Sequence, residues 1–253
     1  MTDVAPRAAA FFDLDRTLIA GSSAYAFARA AGGAGLISHR QLARGAWANV
    51  RFRLRGSTDA DTDALRERVL RSLAGVRVID AMRLAPRLLD RLLPRLHEDV
   101  LALAHAHQDA GRPIYIVTAA SQEVAELLAS VLHFDGGVGS RSEVRDGAYT
   151  GRPEGPFIYR EGKAQAVREL AAREGLDLEA SFAYSDSESD LPLLGAVGHP
   201  VAVNPDSALA RVARAEGWQV VRADHLGRRL AATATVAALA AGAAVVNRGV
   251  RRS

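Results

Sequence analysis

The chain has 253 residues, 49% apolar and 24% charged, so it can bury a core and is neither a disordered nor a collagen-like protein. With no cysteine it can hold no disulfide, thiolate zinc site or cysteine nucleophile, and a net charge of +3 permits an anionic small substrate without announcing nucleic acid. Of the 32 basic residues only one is a lysine; the arginines and the 50 alanines fit a GC-rich genome, which leaves Lys163 as the residue worth locating.

Residues 1–10 include Asp3 and no long apolar run, so no signal peptide is expected there. Residues 8–14, AAAFFDL, are a short apolar run that stops at acids, the pattern of a buried strand with chemistry at its C-terminal end. No strand is expected from 22 to 111. Residues 22–31 read as a helix stopped by Gly32 and Gly33, 36–54 as a basic helical stretch, and 65–73 as a helix with Asp59 and Asp61 near its start. Apolar residues recur at helical spacing over 78–96, where Pro86 and Pro94 predict kinks or breaks, and a helix over 97–110 is closed by Gly111. From 113 onward strands alternate with helices. Strands are expected at 113–117, 181–184, 201–203 and 219–221, helices at 122–132, 163–173, 191–194 and 207–215, and a glycine-punctuated hairpin over 136–150.

That alternation predicts an α/β fold: a Rossmann-like parallel sheet with an all-helical block inserted after the first strand. The expected division is a core of residues 1–20 and 112–226, a helical insert of 21–111, and an alanine-rich tail of 227–253. In the tail, 230–246 is an uncharged run of 17 residues, nine of them alanine, flanked by arginines. A spanning helix needs about 20 apolar residues. A helix packing on protein is therefore expected, with membrane attachment as the alternative, and the chain is expected to be cytoplasmic.

Polar residues gather at the expected strand ends: Asp13, Asp15 and Thr17, then Thr118, then Lys163, then Asp186 and Asp190. In open α/β sheets ligands bind at that edge. In an extended segment Asp13 and Asp15 would point the same way, and two carboxylates so close repel unless a hard cation takes their oxygens. Asp186 offers a third carboxylate, and magnesium is the expected ion. A carboxylate can also attack phosphorus as a nucleophile. Thr118 would then donate to a phosphoryl oxygen and Lys163 would supply a point charge. Asp190 could instead cap the helix at Leu191. His105 and His107, two apart on a helix, diverge and read as structural. Arg51 and Arg55, and Trp47 with Phe52, read as a solvated face and core of the insert.

These motifs resemble those of the haloacid dehalogenase superfamily, over roughly residues 8–222. Asp13-Leu14-Asp15-Arg16-Thr17 matches its D-x-D-x-T, Thr118 its strand-ending Thr or Ser, Lys163 its helix-opening lysine, and Asp186 with Asp190 its acidic pair. The helical insert looks like the C1 cap of the subfamily containing phosphoserine phosphatases. The resemblance implies Asp13 as nucleophile and magnesium ligand, and Asp15 as acid/base with its carbonyl on the metal. Thr118 and Lys163 would bind phosphate, Asp186 would ligate magnesium, and Thr17 and Asp190 would play supporting parts. A second aspartate favours a phosphatase over a dehalogenase. The chain departs from phosphoserine phosphatases in three places: no acid stands in 18–23, Thr118-Ala119-Ala120 replaces Ser-Gly-Gly, and Ser185 replaces the glycine before Asp186. A small phosphorylated metabolite is therefore the expected substrate, with phosphoserine itself, or a non-hydrolytic phospho-aspartate signalling module, as alternatives.

Overall fold

The computed structural model describes residues 7–35 and 67–223, apart from 68, 69 and 72. The segment at 36–54, the acids Asp59 and Asp61, the side chains of Trp47, Arg51, Phe52 and Arg55, and the run at 230–246 lie outside the described residues.

Seven strands form one sheet: β1 (Ala10–Phe12), β2 (Ile114–Ser121), β3 (Gly136–Arg145), β4 (Ala148–Glu154), β5 (Phe182–Ser185), β6 (His199–Val203) and β7 (Gln219–Val221). Their order is β4-β3-β2-β1-β5-β6-β7, and every pairing is parallel except the β3–β4 hairpin. Parallel neighbours need crossovers, and helices supply them. The described residues between β1 and β2 hold no strand; their helices include α1 (Ser23–Gly33), α2 (Val78–Met82), α3 (Ala85–Leu92) and α4 (Glu98–Asp109), and Glu67, Leu70, Arg71 and Leu73 are helical as well. After β2 come α5 (Gln122–Val131), α6 (Glu161–Glu174), α7 (Leu191–Leu194) and α8 (Ser207–Ala215).

Strand alternation builds two apolar faces. Ala9, Phe11, Tyr115, Val117, Ala183 and Ala202 face α6 through Ala166, Val167 and Leu170, and α8 through Leu209 and Ala213. On the other face Phe12 stacks on Tyr184 at 4.2 Å between ring centroids, and His107 of α4 packs on Phe12 and Phe182. Because both faces are covered, β1 is buried throughout and β2 from Ile114 to Val117, which is why these stretches read as unbroken apolar runs. His107 is indeed structural: it meets the Tyr184 hydroxyl at 2.7 Å and accepts from Arg112 Nε at 2.7 Å. Since Nδ1 is the acceptor, the ring proton sits on Nε2 and is donated to Tyr184.

Several boundaries differ from expectation for identifiable reasons. The stretch 78–96 is two helices and a 3-10 turn at Leu93–Arg95, with Pro86 in the first turn of α3 and Pro94 in that turn, where proline's missing N–H costs nothing. The helix α1 runs through Gly32 and Gly33 and ends at Ala34. The strand β2 continues beyond 117 to Ser121, because after a register shift it still pairs with β3. The hairpin extends to Glu154 and turns through Asp146 and Gly147 (φ 52° and 76°), the two left-handed residues a type I′ turn needs. Its β4 side bonds the insert: Gly75 N–H donates to Tyr149 O, Tyr149 N–H to Val76 O, and Val78 N–H to Gly147 O.

By its contacts the chain divides after Val221. Among the described residues no helix is long and apolar enough to cross a membrane.

Candidate active site

The register sets the site. Phe12 of β1 lies opposite Ile116 of β2 and Tyr184 of β5, so Asp13, Thr118 and Asp186 emerge one or two residues past one aligned edge. The chain passes from β1 to β2, β3 and β4 on one side and then crosses back to β5 on the other side of β1, so this edge is also the switch point of the sheet, where open α/β folds bind ligands.

Past Phe12 the chain turns. Leu18 N–H bonds Asp13 O, Ile19 N–H bonds Leu14 O, and Arg16 N–H bonds Gly21 O, while Arg16 itself is left-handed at φ 65°. Asp13 and Asp15 therefore do not point together, as an extended segment would require. Asp13 turns to Lys163, whose Nζ lies 2.6 Å from its Oδ1, and accepts from Thr17 Oγ1 at 3.2 Å. Asp15 turns to the start of α1, accepting from Ser23 N–H at 2.8 Å and Ser22 Oγ at 3.4 Å. The N-terminus of a helix suits such a carboxylate.

Lys163 is buried, at 2% exposure, in the first turn of α6. A close approach places it there: a Cβ on Gly162 would stand 1.9 Å from the carbonyl oxygen of Phe157, so only glycine permits this path. Its Nζ also meets Asp190 Oδ2 at 2.6 Å. Asp190 occupies the backbone cap position of α7, but its side chain makes no capping bond and serves Lys163 instead. Ser185 Oγ donates to the same oxygen at 2.6 Å. Asp190 Oδ1 is buried without a hydrogen-bond partner. Thr118 is buried at the edge; its Oγ1 accepts from Ala120 N–H at 3.1 Å, which leaves its own proton to donate. Asp186 pairs with Arg16, Nη2 to Oδ2 at 2.8 Å.

Burial dominates the electrostatics. It raises Asp13 to about 7 against the pull of Lys163, with Asp190 and Asp15 adding to the rise. Burial and then Asp13 raise Asp186 to about 8, against Arg16 and Lys163. Asp15 is raised by burial, with the Ser23 and Ser22 hydrogen bonds opposing. For Lys163 burial would lower the pKa, but Asp13 and Asp190 outweigh it and hold the ammonium above the ordinary lysine range.

Four of these partners carried no functional signal in the sequence. Ser185 stood out there only as a departure from glycine, Arg16 carries no signal until its backbone is seen, and Ser22 and Ser23 read merely as a helix start. Among the described residues no three acidic or histidine side chains are already arranged around a common cation position. The donor chemistry nevertheless fits a hard divalent ion. Of four carboxylates, Asp13, Asp186 and Asp190 are met directly by two cations, Lys163 and Arg16, while Asp15 meets Ser22 and Ser23, and one buried carboxylate oxygen is orphaned.

Residues 10–195 match the model of the haloacid dehalogenase-like hydrolases, and the chain belongs to that family. It is a hydrolase of the phosphatase type, with the α/β fold of that family. Among its relatives is a phosphoserine phosphatase of Mycobacterium tuberculosis, 38% identical over 94% of this chain and 77% of that protein. Another, a probable phosphatase of the same organism, is 40% identical over 86% of this chain and 76% of its own length. A solved protein of unknown function from Bordetella pertussis superposes with a TM-score of 0.76 at 32% identity, covering 85% of this chain and 98% of that one. A phosphoserine phosphatase solved as a phospho-aspartyl intermediate analogue shares the fold at TM-score 0.62 and 19% identity, over 90% of this chain and 99% of that one.

Proposed function

We propose that the protein is a magnesium-dependent phosphatase that hydrolyses a small phosphomonoester through an aspartyl-phosphate on Asp13. The observation that carries this reading is the division of labour between the two acids of one turn. Asp13 is buried against Lys163, whereas Asp15 is half-buried and held apart by α1.

Lys163 and Thr17 fix the orientation of the Asp13 carboxylate. Its oxygen attacks phosphorus, the P–O bond to the leaving group breaks, and Asp15, whose raised pKa lets it carry a proton, protonates the departing oxygen. Asp15, now a carboxylate, takes a proton from water as that water attacks phosphorus, and the acyl-phosphate bond breaks to return Asp13 and release phosphate. Lys163 and the Thr118 hydroxyl bind the phosphoryl oxygens. Asp13, Asp186 and the Asp15 carbonyl would hold magnesium, which when bound supplies charge neutralisation between carboxylates and phosphate. Asp190, fixed by Ser185, keeps the ammonium in place.

The insert would act as a cap that selects the leaving group and excludes water. Core segments 1–20 and 112–226 and a cap from residue 21 remain our division. However, α4 packs on the sheet through Val100, Ala104 and His107, so the cap is better ended before Glu98 than at 111. No acid in 18–23 can hold a substrate amine, which argues for a phosphomonoester other than phosphoserine.

The test is phosphate release from a panel of phosphomonoesters, including phosphoserine and histidinol phosphate, with magnesium or with excess chelator. Turnover that needs the metal and vanishes in Asp13→Asn is expected. Full turnover by Asp13→Asn would overturn the mechanism.

A further inference from the structure

The two cations of the site hold their acids in different ways. Lys163 is enclosed, its side chain 3% exposed, between Asp13 and Asp190. Arg16 enters from the surface: its side chain is 49% exposed, yet its guanidinium rests on the Asp186 carboxylate, which is 5% exposed. No hydrogen bond or ion pair joins Lys163 to Asp186 among the described residues, so Arg16 is the cation that directly neutralises this acid.

Arg16 reaches it from a left-handed backbone, φ 65°, a region that costs a non-glycine residue free energy. The turn enforces it through Arg16 N–H to Gly21 O at 3.1 Å, closed on either side by Leu18 N–H to Asp13 O and Ile19 N–H to Leu14 O. The backbone is therefore set by the turn, and the side chain is the movable part. An ion pair with one partner half in water is weak and readily exchanged, whereas an enclosed pair is not.

We propose that Arg16 is the exchangeable cation of the site: it occupies Asp186 until a divalent metal ion binds there, and then swings into solvent. Metal binding is then an exchange of one cation for another, and Arg16 sets the metal affinity of the site. This rests on the magnesium reading above and adds to it a competitor built into the D-x-D-x-T turn. The device keeps the buried Asp186 neutralised in the metal-free protein without closing its oxygen to the ion.

The experiment is direct titration of the full chain with manganese, as a paramagnetic stand-in for magnesium, by calorimetry and water-proton relaxation at fixed ionic strength. The proteins are wild type, Arg16→Gln, Arg16→Gly and Arg95→Gln. Arg95 is the control, because its Nη1 lies beside Gly21, 3.8 Å from where a Cβ would stand, and among the described residues the site's acids pair with Arg16 and Lys163 rather than with it. Arg16→Gly covers the chance that Arg16→Gln folds poorly, since glycine is at ease at φ 65°. Both Arg16 variants are expected to bind manganese about 1.5- to five-fold more tightly than wild type, the range of an exposed ion pair, and Arg95→Gln to match wild type. Metal-free Arg16→Gln is expected to melt below wild type, with the gap closing at saturating manganese. Equal affinity in wild type and both Arg16 variants overturns the exchange while leaving the metal reading intact. Equal tightening in Arg95→Gln overturns it in favour of a general field effect. No manganese binding to wild type at millimolar concentration overturns the metal reading, and the exchange falls with it.

Discussion

Replacing Lys163 by arginine keeps the charge and tests whether the site needs a point or a fork. Two carboxylate oxygens, Asp13 Oδ1 and Asp190 Oδ2, converge on one nitrogen at 2.6 Å each. A guanidinium is longer, planar and spreads its donors, so it cannot place one atom between both oxygens. Nor is there room to retreat, because Ala164 and Val167 beside it on α6 are fully buried. Overpacking of this kind costs about 1–3 kcal/mol, or roughly 2–12 °C in melting temperature for a chain of this size. Asp13 would be displaced on the scale of 1 Å, and a reacting atom misplaced that far loses ~10²-fold in rate. The expected Lys163→Arg protein is thus folded, somewhat less stable, and at least ~10²-fold slower in kcat/KM. Lys163→Met is the companion: it leaves Asp13 and Asp190 facing each other without a cation, and breaking such a buried pair costs about 3–5 kcal/mol. Thermal melts and phosphate-release kinetics on both variants decide the matter. Lys163→Arg with kcat/KM within about three-fold of wild type would refute the reasoning, and the single lysine would then be codon chance.

Asp15→Asn keeps the acceptor for Ser23 N–H but has no proton to give, so hydrolysis of an alkyl phosphate should fall 10²–10⁴-fold while p-nitrophenyl phosphate, whose leaving group needs little protonation, suffers less in the first step. Equal loss on both substrates in single-turnover measurements would contradict the acid role. Ser185→Ala removes one of the two donors to Asp190 Oδ2 and should cost about 1–3 kcal/mol, with kcat lowered and KM little changed. An unaltered melting temperature and kcat would show that hydrogen bond to be idle. His107 is pushed down to about 4, first by burial and then by the charge of Arg112, while an unfolded histidine titrates near 6.5. Between those values the unfolded chain takes up a proton that the folded one refuses, so this contribution to stability falls as pH falls. Denaturant unfolding of wild type and His107→Gln at pH 7 and pH 4 should therefore show the wild-type advantage shrinking by about 1–3 kcal/mol. A pH-independent difference between the two would rule this out.

Local signals made the second half of the fold legible. Residues 191–194, 207–215 and 219–221 read the same in sequence and structure, because each is bounded by its own punctuation: Pro192 in the first turn of α7, Asp206 capping α8 through Ala208 and Leu209 N–H, and Gly217 with φ 67° before β7. Boundaries strayed where a neighbour decides. The residues Thr118 to Ser121 are small, two of them alanine, with no strand pattern, and only β3 alongside makes them strand. Over 78–96 the apolar spacing is continuous across α2, α3 and the 3-10 turn, and the prolines mark starts inside it as readily as stops.

The site divides along the same line. Which residues reach the reactive edge follows from where the buried apolar runs stop, a local property, so Asp13, Thr118 and Asp186 could be picked out from the sequence even though β2 itself continues past Thr118. Which partner each acid takes follows from the turn after Phe12, whose backbone bonds rotate Asp15 away from Asp13 and bring Arg16 back over Asp186. No one-dimensional pattern encodes that rotation. The acids were consequently legible as a set, but their pairing was not: a model of two parallel carboxylates sharing an ion gives way to one in which Asp13 is bound to a buried lysine, Asp15 to a helix start, and Asp186 to an arginine that water can reach. Of these three arrangements only the last can be exchanged without disturbing the core. The least conspicuous residue of the D-x-D-x-T turn is thus the one best placed to control what enters the site.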